Sequence, residues 1–311
     1  MKSLVCKILC LVTAFISLSA SGLSAASLSE YEVKVDKFSE LEVSSNFELT
    51  IERGMRYGVK IIVDAPYKNY VQCAVSSSVL SIYVDERKVP SEVKKLYSGR
   101  DIQPATFRAI VTMPSSSLTC LKLNDKASIL EIDDVVSAES FKLVMNDNSK
   151  IASIACKTGS AELQMNNKAS AEIEVDCQTL KLDANSNTSG KIKLKAKEAE
   201  LNLNSNAGFD FDCDCQSITL VTKTTSKAVL NGRSSYVYFN LSGPSSVNAE
   251  KLECEDANVA MNSLCQLVEA ASKTLTVNLS AGATLKYLNS PQINILNIRV
   301  STMVPYEQGK E

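Results

Sequence analysis

Short stretches of alternating apolar and polar residues run down the chain, and each one stops at a polar corner. From Asn124 onward the corners recur at nearly constant intervals: Asn124, Asn146, Asn166, Asn185, Asn204, Lys223, Ser242, Asn262 and Ser280, a mean spacing of 19.5 residues. The units between them include Leu143-Val144-Met145-Asn146, Leu163-Gln164-Met165-Asn166 and Val259-Ala260-Met261-Asn262. Each unit reads as strand, corner, strand, with asparagine chosen for its tolerance of left-handed backbone angles and for side-chain bonds to nearby backbone. A unit this short has no room for a crossover helix and too few apolar residues to bury itself alone. Stacking each unit on the next resolves both problems, so the pattern predicts an all-β chain folded as a parallel β-solenoid, a β-helix-like stack of short strands.

The same reasoning predicts register. Six residues past Asn166, Asn185 and Asn204 stand Glu172, Glu174, Asp176, then Lys191, Lys193, Lys195, then Asp210, Asp212, Asp214. The interleaved residues, Ile173 and Val175, Ile192 and Leu194, Phe211 and Cys213, are apolar. Acid, base and acid therefore stack on one face and apolar side chains on the other, with neighbouring strands about 4.8 Å apart. A slip of one residue would turn every lysine into the core, so the charges set register more than they add stability.

Before the repeat, residues 27–113 hold strands without a tight period: Tyr31 to Val35, Leu41 to Val43, Phe47 to Ile51, Val59 to Val63, Val79 to Val84 and Phe107 to Met113. Alternation lapses between Asp85 and Ala105, where Pro90, Pro104 and many charges predict an exposed excursion: a solvated loop or short capping helix before a binding loop. The expected organisation is one elongated domain over 27–304, with the N-terminal strands to 113, coils over 114–300 and a tail at 305–311.

Residues 1–26 form a targeting signal. Lys2 and Lys7 precede the apolar run Ile8 to Leu18, and Ser24, Ala25 and Ala26 offer a cleavage site. The run is shorter than the roughly 20 residues a spanning helix requires, and no later stretch would span a membrane. Cys10 does not follow the small residue a lipid-anchor site would have. The net charge is −2, and losing Lys2 and Lys7 makes it −4. With 6% aromatic residues and no basic excess, nucleic acid is not an expected partner. Eight cysteines remain after residue 26. An exported chain allows disulfides, yet Cys156, Cys177, Cys213 and Cys215 fall at similar offsets from their corners, as free thiols in a stacked interior column would.

Chemistry is sparse. The chain has no histidine, which removes serine–histidine and cysteine–histidine catalysis, and no glycine-rich phosphate loop, CxxC pair or metal set appears. No cofactor is expected. The carboxylates of Asp210, Asp212 and Asp214 beside Glu172, Glu174 and Asp176 are the best acid/base or calcium candidates, but the lysine row between them reads as a structural face and would oppose a raised pKa. Tyr236 and Tyr238, which alternate with Val237 and Phe239, form with Tyr287 the candidate ligand surface, suited to stacking on sugars.

Phe38-Ser39-Glu40-Leu41-Glu42-Val43, then Phe47-Glu48-Leu49-Thr50-Ile51-Glu52-Arg53-Gly54, Val59-Lys60-Ile61 and Val79-Leu80-Ser81-Ile82 resemble the opening of the head GIN domain family of putative autotransporter adhesins, DUF2807. Leu285-Lys286-Tyr287-Leu288-Asn289-Ser290-Pro291 resembles its close. The resemblance spans roughly 30–300. It implies a right-handed stacked-strand protein exported to a Gram-negative envelope, periplasmic or at the cell surface, with no established enzyme activity. The chain departs from the family in its corners, asparagine in place of glycine and serine, and in Asn289, where the family carries glycine. The expected function is a non-enzymatic adhesin-like protein that presents a solenoid face to a glycan or surface protein. The alternatives are a polysaccharide lyase or hydrolase working through outward carboxylates, and an envelope spacer or assembly element, with oligomers formed through exposed strand edges.

Overall fold

The computed structural model describes residues 27–306 apart from positions 101 and 134; residues 1–26, where a targeting signal is expected, and residues 307–311 lie outside it. The chain is 68% strand and winds into a parallel β-solenoid of about ten turns. Each coil has two strand segments. In one coil Ser170–Asp176 forms the first wall, the chain bends at Cys177 and Gln178, Thr179–Asn185 forms the second wall, and a tight corner leads into the next coil.

Inward positions build continuous columns. Along the second wall Leu80, Leu41, Leu121, Leu143, Leu163, Leu182, Leu201, Leu220, Phe239, Val259 and Val277 stack in unbroken register, each essentially buried. Burying one such leucine contributes about 1.5–3 kcal/mol, which repeated coil after coil is the main force holding the stack. The charge register is as the offsets predict. Glu172, Lys191 and Asp210 stack, as do Glu174, Lys193 and Asp212, while Val175, Leu194 and Cys213 form an inward column. Lys191, Lys193 and Lys195 lie 3.8, 3.8 and 3.5 Å from Glu172, Glu174 and Asp176. One row runs further than the three coils first read. Lys157, Asp176, Lys195, Asp214, Arg233 and Glu253 alternate in sign across six coils, with Arg233 gripping Asp214 through two bonds of 2.7 and 2.9 Å. Lys193→Glu places three acids in a row and is expected to lower the thermal midpoint by about 1–3 °C, since exposed pairs are weak. An unchanged midpoint in a melting experiment would contradict this account of register.

The corners work differently from the expectation. The left-handed residues are those after the asparagines: Asp147, Asn167 and Lys168, Ser186 and Asn187, Ser205 and Asn206 all have φ between 54° and 70°. The asparagines themselves end the second-wall strand and bond to one another along the stack. Asn146 donates to Asn124 (2.8 Å), Asn166 to Asn146 (3.1 Å), Asn185 to Asn166 (3.3 Å) and Asn204 to Asn185 (3.4 Å). An amide side chain both donates and accepts, so identical residues at identical positions make a self-continuing ladder. It begins where Asn124 donates to Glu42 and Ser44, and Thr224 donates into its far end on Asn204.

Stacking extends upstream of the repeat: Glu40–Val43 and Glu48–Arg53 lie parallel on Cys120–Leu123 and Ser128–Ile132. Beyond them the pairing turns antiparallel. Gly58–Asp64 lies between Phe107–Met113 and Leu28–Val33, and Val71–Ser76 lies on Val79–Val84. Ala65–Tyr70 forms a short 3-10 turn, and the stretch read as an exposed excursion holds a helix, Ser91–Leu96. Buried Tyr67 packs its ring 4.9 Å from Phe107 and 5.4 Å from Tyr97, and Val89 is buried with them. These side chains plug the first rung.

Candidate binding surface

The outward side of the second wall changes character along its length. In the coils from Ser140 to Asn204 it carries Lys142, Glu162, Lys181 and Glu200 in one alternating row, with Asp183 and Glu198 beside it. From Ser217 to Ser280 the same positions hold Thr219, Tyr238, Asn258 and Thr276 in one row and Ser217, Tyr236, Asp256 and Thr274 in the next. Only Asp256 in these two rows is charged. The outward strands therefore pass from a salt-bridged face to a nearly uncharged one with tyrosines at its centre. Tyr236 is 39% exposed and Tyr238 half-buried.

Tyr287 lies elsewhere. It stands on the first wall, opposite Glu269 and Pro305, half-buried against the core. The structure brings Tyr236 and Tyr238 together and leaves Tyr287 on the other wall.

A groove of about 810 Å³ follows the bend between the walls from Asp176 to Asn289. The row of Asp176, Lys195, Asp214, Arg233 and Glu253 lines it, and its floor is made of small residues. Ala196, Cys215, Ser234 and Cys254 stack there, and Cys177 donates its backbone N–H to the Lys195 carbonyl beside them at 2.9 Å. Cys156 and Cys213 belong to the neighbouring inward column, so the cysteines occupy two columns where the offsets suggested one. All eight described cysteines are free thiols and six are buried. Burial pushes Cys177 up to about 11 and Cys156 to about 12; burial and then Glu269 raise Cys254 to about 12. Such thiols stay protonated at neutral pH and are poor nucleophiles.

One residue that sequence reasoning passed over is Glu269. It follows Leu267 in inward phase and is 1% exposed. One carboxyl oxygen accepts the Ala271 N–H at 2.9 Å and the other has no partner. Desolvation holds its carboxyl up at about 7. The period-two phase of Leu267 and Glu269 is the signal that could have found it. At this depth it is a core group, closed to a substrate. Among the described residues no three His, Cys, Asp or Glu side chains converge as metal ligands.

Residues 37–196 and 186–291 match the protein family described as "Putative auto-transporter adhesin, head GIN domain". The chain belongs to the head GIN domain family. A solved putative adhesin from Parabacteroides merdae shares 14% identity with this head GIN chain, covering 91% of it and 98% of the solved chain, with a TM-score of 0.52. A putative adhesin from Parabacteroides distasonis gives 13%, 91%, 98% and 0.52. At such identities the likeness concerns the fold alone. No curated protein matches the sequence. A head GIN adhesin family points to a non-enzymatic protein that is exported or acts at a surface, and no helix among the described residues is long and apolar enough to cross a membrane.

Proposed function

We propose that this head GIN protein is an envelope adhesin whose ligand surface is the uncharged stretch of the second wall around Tyr236 and Tyr238, and that the ligand is an extended glycan or a surface protein. The observation that carries the reading is the loss of charge along the row of Lys142, Glu162, Lys181 and Glu200, which continues as Thr219, Tyr238 and Asn258. Charged rows satisfy themselves strand to strand. A row of threonine, tyrosine and asparagine leaves hydroxyls, amides and ring faces free for a neutral polar ligand, and tyrosine offers large contact area at low entropic cost. Five rungs of Thr219, Tyr238, Asn258, Thr276 and Asn294 give a track of about 19 Å at strand spacing, enough for several sugar units or a short peptide strand. Tyr287, on the other wall, would serve a separate contact.

A glycan array and a cell-envelope binding assay on the purified protein test this. Binding is expected, with an affinity at least tenfold lower for the Tyr236→Ala/Tyr238→Ala pair and unchanged for Tyr287→Ala. Equal binding by the paired variant would move the ligand off this wall, and glycan cleavage without added cofactor would replace the adhesin reading with an enzymatic one.

A further inference from the structure

The two ends of the solenoid are finished differently. At the first rung, antiparallel strands and the buried Tyr67 and Val89 close the stack. The last rung of the second wall, Gln292–Arg299, pairs only with Ala271–Ser280, and its opposite edge meets no other described strand. The inward columns end there on Ile293, Ile295 and Ile298, stacked on Leu275, Val277 and Leu279. Those three partners are fully buried, whereas Ile295 is 60% exposed, Ile298 39% and the bulged Leu296 69%. Edge strands are ordinarily blunted by charge, proline or brevity. This strand is eight residues long with Arg299 at its very end as its sole charge, while the last strand of the first wall, Thr302–Pro305, is short and closes on proline.

The sequence of the open strand says what fits it. Gln292-Ile293-Asn294-Ile295-Leu296-Asn297-Ile298-Arg299 is a palindrome of residue character. Laid antiparallel on itself about its centre, Ile295 meets Leu296, Asn294 meets Asn297, Ile293 meets Ile298 and Gln292 meets Arg299. Apolar faces apolar and amide faces amide at every pair within the ends. We propose that this rung pairs edge to edge with the same rung of a second copy, so that two solenoids join tail to tail about a two-fold axis in one longer stack. A two-fold contact uses one surface twice and closes, which an antiparallel strand pair provides. The closed first rung disfavours head-to-tail growth.

Sedimentation of the full chain at micromolar concentration is expected to show a dimer. Ile295→Asp should weaken it at least tenfold while leaving the circular dichroism spectrum of the folded chain unchanged, because Ile295 is already 60% exposed in the single chain; its melting midpoint should lose the concentration dependence that dimerisation gives the parent. The register has its own test. Asn294→Cys/Asn297→Cys should cross-link into a covalent dimer on mild oxidation, whereas Asn294→Cys alone should not, since position 294 meets 297 and not itself. A monomer at 100 micromolar overturns the proposal, as does a dimer that survives Ile295→Asp. Equal cross-linking by the single variant overturns the register. Slow exchange of the alternate amides in 292–299 that face away from Ala271–Ser280, in a monomer, would mean that another segment of the same chain covers the edge, which also overturns it.

Discussion

Gly232→Ala is expected to lower the thermal midpoint by about 10 °C. Gly232 occupies an inward register position, stacked on Cys213 and under Leu252, with φ at +96°. That angle swings the position of a side chain away from the core and along the stack. A Cβ there would stand 2.1 Å from the Cys213 carbonyl oxygen and 3.0 Å from its carbonyl carbon and nitrogen. These are backbone atoms of the coil below, held by their own ladder bonds, so relief requires prying two coils apart. Overpacking of this kind costs about 1–3 kcal/mol and a left-handed alanine roughly 1–2 kcal/mol more. At some 2–4 °C per kcal/mol for a chain of this size, the sum gives the stated drop. Gly208→Ala supplies the control: its Cβ would meet nothing within 4 Å, and the substitution should be neutral or slightly stabilising. Similar melting curves for the two variants would show that the Gly232 site relaxes freely.

The second large effect concerns acidity. Glu269 has its carboxyl raised to about 7 by desolvation from an ordinary 4.5. Below pH 4.5 the side chain is protonated in folded and unfolded chains alike and no penalty exists. As pH rises the unfolded chain releases the proton first, so stability falls between about 4.5 and 7 and levels off above. The loss is on the order of 3 kcal/mol. Because the chain contains no histidine, few other side chains titrate in this window. The nearby thiol of Cys254, raised to about 12, stays neutral throughout. The protein should therefore melt several degrees lower at pH 8 than at pH 5. Glu269→Gln, which keeps the acceptor for the Ala271 N–H and carries no charge, should remove most of that slope and exceed the parent in stability at pH 8. If the slope persists in the glutamine variant, the buried carboxyl is not its source.

What could be read before the fold was known follows from what repeats locally. Inward alternation and a corner every 19 residues or so are encoded within each unit, which is why the pairing of Lys193 with Glu174 and Asp212 could be placed by counting from Asn166, Asn185 and Asn204. The role of those asparagines was not legible. An amide at a corner serves a left-handed turn equally well, and only the coordinates show it one position earlier, bonded to its counterpart in the next coil. Asn289 takes the left-handed form, with φ at 63°, a backbone that glycine adopts most readily, while its side chain donates to the Ala270 carbonyl at 2.8 Å. The antiparallel strands before the first coil rest on pairings between residues far apart in the chain, such as Tyr31 with Ile61, and no local pattern announces them. For the ligand surface, counting placed Tyr236 and Tyr238 on one strand. It did not reveal that Tyr287 belongs to the other wall, nor that the charges around the pair fall away.

The alternating row from Lys157 to Glu253 also constrains how such a chain could change length. Removing one coil, residues 186–204, would preserve every hydrophobic column and every corner, yet it would set Glu172, Glu174 and Asp176 directly against Asp210, Asp212 and Asp214. Removing two adjacent coils would restore opposite signs along that row. The charge pattern thus imposes a parity on this part of the solenoid, which can shorten or lengthen by pairs of coils far more readily than by one.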